Sequence, residues 1–283
     1  ISTKVPVSIT MEPLPTATIN EGTTATFNVT AIGEGATYQW YQNGSIAEGT
    51  STSTTYTTVN TLSATGTYYV VVSGTCNVVS STSAVVTVRP RPQGVLSGST
   101  IQVGGTGQLR YTSSNGAGTF TIVYQANGAS PVTVSNVTSG IPFNVNTGTP
   151  TSTTVYTLLS VMDEATTSSR TAGFTTISTT INVLAKPTAV LTGDASICGG
   201  KETNLTLVTT GQGTINVSIN GVVYRTVSGT LSIPVTSVAA AGGSTTYTIS
   251  SVTDDYGSGT VSGVVTISTK VPVSITMEPL PTA

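Results

Sequence analysis

Residues 1–17, ISTKVPVSITMEPLPTA, recur letter for letter as residues 267–283. A duplication that long at a single offset predicts a tandem array with a period of 266 residues, of which this sequence covers one unit and the opening of another. A finer repeat lies within the period: an Ile, a Gly three residues on, and an apolar residue five beyond that. It reads Ile19-Asn20-Glu21-Gly22 to Phe27, Ile101-Gln102-Val103-Gly104 to Leu109, and Ile197-Cys198-Gly199-Gly200 to Leu205. A second marker keeps step with the first, since Tyr68, Tyr156 and Tyr247 follow their Ile by 49, 55 and 50 residues. The unit is therefore expected to divide into three modules of one topology, residues 5–89, 90–185 and 186–270. Residues 1–4 would close a preceding module, and 271–283, which repeat 5–17, would open the next. The expected joints are short and alike, a strand ending in a base and a Pro that stiffens the chain: Lys4-Val5-Pro6, Arg89-Pro90-Arg91-Pro92, Lys186-Pro187 and Lys270-Val271-Pro272.

Val, Ile, Leu and Tyr alternate with Thr and other polar residues along most of the chain, the period of half-buried strands, and no ten-residue stretch carries a helical spacing. The expected fold class is all-β, three tandem sandwiches strung as an extended rod. At 283 residues the chain suits several small cores better than one. Composition removes most chemistry. With no His, 11 acids and 9 bases, the groups that carry acid–base, nucleophilic or metal catalysis are scarce, so no enzyme, cofactor or metal is expected. A net charge of −2 does not suit nucleic acid, and no run approaches the ~18 apolar residues of a membrane helix.

Three segments of the first module bear a family likeness. Glu21-Gly22-Thr23-Thr24-Ala25-Thr26-Phe27-Asn28-Val29 resembles the second strand of immunoglobulin domains. Tyr38-Gln39-Trp40-Tyr41-Gln42-Asn43-Gly44 resembles the third strand with its core Trp, and Gly66-Thr67-Tyr68-Tyr69-Val70 the tyrosine corner and sixth strand. The resemblance implies that Trp40 and Tyr68 are core and corner residues. Val29 and Val70 stand where that family carries its intersheet cysteines, so an apolar contact is expected in place of the bridge. Modules two and three lack the Trp and match in register alone. The chain as a whole, with segments such as Ile197-Cys198-Gly199-Gly200-Lys201-Glu202-Thr203-Asn204-Leu205 and Tyr247-Thr248-Ile249-Ser250-Ser251-Val252-Thr253-Asp254-Asp255, resembles the Thr/Ser/Val/Gly-rich tandem modules of giant surface adhesins of gliding Bacteroidetes. That likeness implies an extracellular, cell-surface, adhesive or filament-forming role.

In the immunoglobulin topology the turn before the second strand and the turn after the sixth lie at opposite ends of a module. Cys198 falls in the first kind of turn and Cys76 in the second. Each is expected to bridge to a neighbouring unit, Cys198 to the following copy of Cys76; the competing reading is a pair of buried free thiols. Modules two and three carry acids at the place of Cys76. Asp163 and Glu164, and Asp254 and Asp255, are expected at the joints that hold Arg89, Arg91 and Lys186, as ionic clasps or, less simply, calcium ligands.

Other constellations carry less. Asn28, Asn43, Asn136, Asn204 and Asn216 open Asn-x-Ser/Thr triplets, common by chance in so Thr-rich a chain. Tyr41, Tyr56 and Tyr69 are the candidates for an aromatic platform that a glycan would need. The function expected is a structural stalk segment of a giant repetitive adhesin or surface filament, used in adhesion and gliding. Its partners would be neighbouring units of the same chain and a surface or glycan ligand held elsewhere in the protein. The alternative is a self-assembling filament or surface-layer subunit with contacts between chains.

Overall fold

The computed structural model describes residues 2–116, 118–145 and 148–275. Apart from one 3-10 turn, Leu62–Ala64, the regular elements among the described residues are all strands. They gather into two compact units, one drawn from Ile1–Gly98, Gln108–Asn146 and Val155–Thr180, the other from Ser99–Gly107, Thr147–Thr154 and Ile181–Ala283. The boundary between these units falls inside residues 90–185. The last eight letters of the repeated segment, 276–283, lie outside the described residues.

The first unit opens with a sandwich. One sheet runs in the order Thr16–Asn20, Ala84–Arg89, Gly66–Ser73, Thr37–Gln42, Ser45–Ile46. Facing it are the pairs Ser8–Met11 with Thr30–Ile32, and Thr26–Asn28 with Thr55–Thr57. Alternation decides which side chains meet: Ala84, Val86 and Val88 point inward while Val85, Thr87 and Arg89 point out. Farther along the unit, Thr119–Ala126 is flanked by Val132–Thr138 and Thr154–Asp163, and Gln93–Gly98 pairs with Gln108–Asn115. Their inward residues, Leu109, Tyr111, Phe120, Ile122, Tyr124, Tyr156, Leu158 and Val161, are buried.

The second unit holds a complete sandwich of its own. Ala195–Ile197, Val264–Thr269, Ser244–Asp254, Ile215–Ile219 and Val222–Thr226 form one sheet in that order. Gly229–Thr236, Glu202–Thr210, Thr188–Thr192 and Thr260–Ser262 form the other. Leu191, Leu205, Leu207, Ile215, Val217, Ile249, Val252 and Ile267 fill the space between. The same unit pairs Thr100–Gln102 in parallel with the end of Ser178–Leu184.

The Ile and Gly markers have one structural cause. Ile19, Ile101 and Ile197 each lie on a short strand running parallel to a later one, opposite Val88, Val183 and Thr269. Each strand ends in a turn whose glycine takes a left-handed backbone: Gly22 at φ +94°, Gly104 at +87° and Gly200 at +71°. A side chain is disfavoured there by the backbone itself.

Candidate functional site

Trp40 and Tyr68 lie at the centre of the first sandwich. Trp40 is fully buried and stacks between Phe27 and Tyr56, with ring centroids 6.2 and 5.6 Å away. Its indole Nε1 donates to the carbonyl of Ser53 at 2.8 Å, which satisfies the one polar atom of the side chain. The Tyr68 hydroxyl donates to the carbonyl of Ala64 at 2.8 Å, four residues upstream. Val29 and Val70 belong to the same apolar cluster. Burial, with smaller contributions from Tyr56 and Glu48, raises the Tyr68 hydroxyl well above its ordinary value.

Two of the three platform candidates stack. Tyr41 and Tyr69 pair across their strands with near-parallel rings 5.2 Å apart, both partly buried. Tyr56 is 1% exposed, so it offers no platform, because the alternation of Thr55–Thr57 turns it into the core.

The acidic turns are built alike. Asp163 Oδ1 accepts from the backbone N–H of Ala165 (2.9 Å) and of Thr166 (3.3 Å). Asp254 Oδ1 accepts from Tyr256 (2.9 Å) and Gly257 (3.1 Å), and its Oδ2 from Gln212 (3.0 Å). In both cases an aspartate closes the turn that follows a Tyr-marked strand by bonding its own backbone two and three residues on. Desolvation pushes the Asp254 carboxyl up, but the hydrogen bonds from Gln212, Tyr256, Gly257 and the Gln102 side chain outweigh it and hold the group below the ordinary range.

The residues expected as ionic clasps have the following surroundings. Glu164 accepts from the N–H of Asn136 and from the hydroxyls of Thr119 and Thr121, neutral donors on its own sheet, and these hold its carboxyl below the ordinary range. Arg91 engages Glu21, which accepts the Arg91 backbone N–H at 3.0 Å; its Nε donates to the Glu21 carbonyl at 3.4 Å, and its guanidinium lies over Gly22. Asp163 does line a hollow with Arg89, Pro90, Gly116 and Thr166. Lys186 lines another with Gln102 and Tyr256, beside the Asp254 turn, while the Asp255 carboxylate rests against Gly213.

Two residues that the sequence reading did not single out make the contacts to these turns. Asn20 Nδ2 donates to the carbonyl of Thr166 at 2.9 Å, across 146 residues of chain. Gln102 Nε2 donates to Asp254 Oδ1 at 2.9 Å, across 152. Both directly follow a marker Ile, which was the signal available for finding them; the third residue at that position is Cys198.

Both cysteines are exposed free thiols, which overturns the reading of two buried thiols and leaves no disulfide between them. Cys76 sits in a turn closed by Gly74 N–H donating to the Asn77 carbonyl, and its Sγ lies 3.9 Å from the carbonyl oxygen of Lys4. The same turn grips the first strand: Asn77 Oδ1 accepts from Val7 N–H at 2.7 Å and its Nδ2 donates to the Val7 carbonyl at 2.9 Å. Cys198 sits in a turn fixed by its carbonyl, which accepts from Lys201 N–H and from the Ser237 hydroxyl. Beside it, the N–H of Lys270 donates to the Ile197 carbonyl at 2.8 Å.

Comparison with known proteins places a family on the first sandwich. Residues 6–90 match the profile of an Ig-like domain described as CHU_C associated. Solved structures aligned with the chain include an I-band fragment I67–I69 from titin, at 15% identity over 95% of this chain and 99% of that one, TM-score 0.39. They also include Rst D1–D2, at 15% identity over 64% and 100%, TM-score 0.34, and Sidekick-1 immunoglobulin domains 1–5, at 14% over 95% and 60%, TM-score 0.32. No characterised protein sequence matches the chain. The chain is all-β and folds as immunoglobulin-like sandwiches, and residues 6–90 are the stretch matched to the CHU_C-associated domain.

Proposed function

We propose that the chain is a stalk segment of a long extracellular adhesin or surface filament. It would carry three sandwich modules, 5–89, 90–185 and 186–270, in each 266-residue unit, and serve adhesion and gliding at the cell surface. The observation that carries this reading is the duplicated segment: residues 1–17 return letter for letter at 267–283, at the single offset of 266. In the first copy Val7 is 2% exposed, packed beneath Gly33 and Gly74 as part of the first sandwich. The family match at 6–90 and the separate cores of the first and last sandwiches support the modular division.

Electron microscopy of the native material tests the proposal. Strands of about eight residues at about 3.3 Å each, plus turns, give modules of about 35–40 Å and units of about 105–120 Å. A thread one sandwich thick, with that axial period and rooted at the cell surface, is the expected result. A thick helical fibre or flat lattice held by lateral contacts would replace the stalk with assembly between chains.

A further inference from the structure

We infer that Cys198 forms a disulfide with the copy of Cys76 in the following unit, locking one joint in each 266-residue period; the inference rests on the tandem reading above. It begins with two contacts already described. The residue after a marker Ile reaches the turn after a later Tyr-marked strand at Asn20 to Thr166, 146 residues on, and at Gln102 to Asp254, 152 residues on. Those acceptors stand ten and seven residues after their Tyr markers. At the third marker the reaching residue is Cys198, and Cys76 stands eight residues after Tyr68. In a following unit Cys76 would lie 144 residues beyond Cys198, the same separation class as the two contacts observed.

A second observation arrives from the duplicated segment independently. Lys4 and Lys270 are the same residue of the repeat. On one side, Lys270 donates its N–H to the carbonyl of Ile197, next to Cys198. On the other, the carbonyl of Lys4 contacts the Cys76 sulfur at 3.9 Å. Placed at one joint, a single lysine backbone touches the Cys198 turn with its N–H and the Cys76 turn with its carbonyl. Both thiols are exposed, so neither has to leave a core to react, and a bridge requires the two Cα atoms about 4.4–6.8 Å apart. The other two joints use a hydrogen-bonding amide where this one has a thiol facing a thiol.

The bond forms by two exchanges with an oxidised dithiol oxidoreductase. The Cys198 thiolate attacks its disulfide, giving a mixed disulfide and one released thiolate. The Cys76 thiolate then attacks the Cys198 sulfur, forming the Cys198–Cys76 bond and releasing the second thiolate. The electron pair and the two protons end on the two thiols of the oxidoreductase.

The native chain, alkylated without reduction and then digested, tests the idea by mass spectrometry, with a thiol count on the denatured protein. A Cys198 peptide linked to a Cys76 peptide is expected, in a chain that migrates as one polypeptide without reductant. Bridging between neighbouring units leaves only the outermost Cys76 and Cys198 free; bridging within a unit leaves none, and unbridged cysteines leave two in every unit. Either of the last two counts overturns the proposal, as does a chain-to-chain dimer that reductant dissolves. Replacing Cys198 by Ser in one interior unit exposes one new reactive thiol if the bridge exists and none if it does not. Sequence downstream of residue 283 that failed to continue as a copy of 18–89 would remove the tandem reading instead, a failure separate from finding both thiols free in a true tandem.

Discussion

At the scale of single residues, the first sandwich depends on polar atoms that burial leaves no freedom. Trp40 fills the space between Phe27 and Tyr56 while its nitrogen holds the Ser53 carbonyl. Replacing Trp40 by Phe keeps an aromatic ring, loses volume and leaves that carbonyl without its donor; a loss of about 2–3 kcal/mol is expected, against about 3–5 for Ala, read by denaturant unfolding. Tyr68→Phe removes only the hydroxyl bonded to Ala64, and about 1–2 kcal/mol should go with it. Tyr68 and Tyr111 also set an alkaline limit. Burial pushes the Tyr111 hydroxyl up to about 12, and raises Tyr68 too. A phenol whose folded pKa is raised costs nothing while both states stay protonated, and stability falls once pH passes the unfolded value near 10. The fall should reach at most about 1.4 kcal/mol per pH unit per tyrosine. Absorbance near 295 nm should therefore show these tyrosinates forming together with loss of strand signal; ionisation inside an intact fold would contradict the burial of both rings.

Turns and strands show where the sequence was readable and where it was not. The Ile and Gly markers were legible because backbone geometry imposes them: a parallel strand opposite Val88, Val183 or Thr269, then a glycine at positive φ. Tyr56 misled because one position in a short Thr-rich strand can face either way, and only the pairing with Phe27 decides. The acids were legible by their charge alone; what the sequence did not display is that Asp163 and Asp254 also accept from the N–H groups of their own turns. Asn20 and Gln102 escaped notice because an amide has no charge to flag it, although their positions lined up with Cys198 from the start. Two substitutions separate these effects. Gly259→Ala would put a methyl group 1.7 Å from the Pro187 carbonyl oxygen, so backbone must shift where Thr188–Thr192 meets Thr260–Ser262. The last sandwich should lose several kcal/mol, about 3 or more, measured by its thermal midpoint. Asp254→Asn should cost about 1 kcal/mol at neutral pH, because an amide nitrogen cannot accept from Gln212. Since the folded carboxyl lies below its ordinary range, the stability that it contributes is present above the unfolded value and is lost as pH falls through the folded one. The substituted protein should therefore show a flatter acid limb than the parent in unfolding curves taken from pH 7 downward.

For the whole molecule, the question is how independently its parts unfold. The described residues form two compact units, and the cores at the two ends of the chain share no residue. Cooperative all-or-none unfolding is the habit of single domains, and a chain with separate cores has no need to obey it. The amino-acid sequence supplies a local reporter: Trp40 is its only tryptophan, and it sits in the first unit. Its fluorescence follows that core alone, whereas far-UV circular dichroism sums the strands of both units. Equilibrium unfolding followed by the two signals should give transitions that do not coincide, with part of the dichroism change outside the fluorescence midpoint. Tyr68→Phe should then move the fluorescence transition to lower denaturant and leave the remaining dichroism step in place. Gly259→Ala should do the reverse, since Gly259 packs against Pro187 in the second unit. Coincident curves that shift together under both substitutions would mean that the units unfold as one body, and a stalk made of such units would give way in large cooperative steps rather than one sandwich at a time.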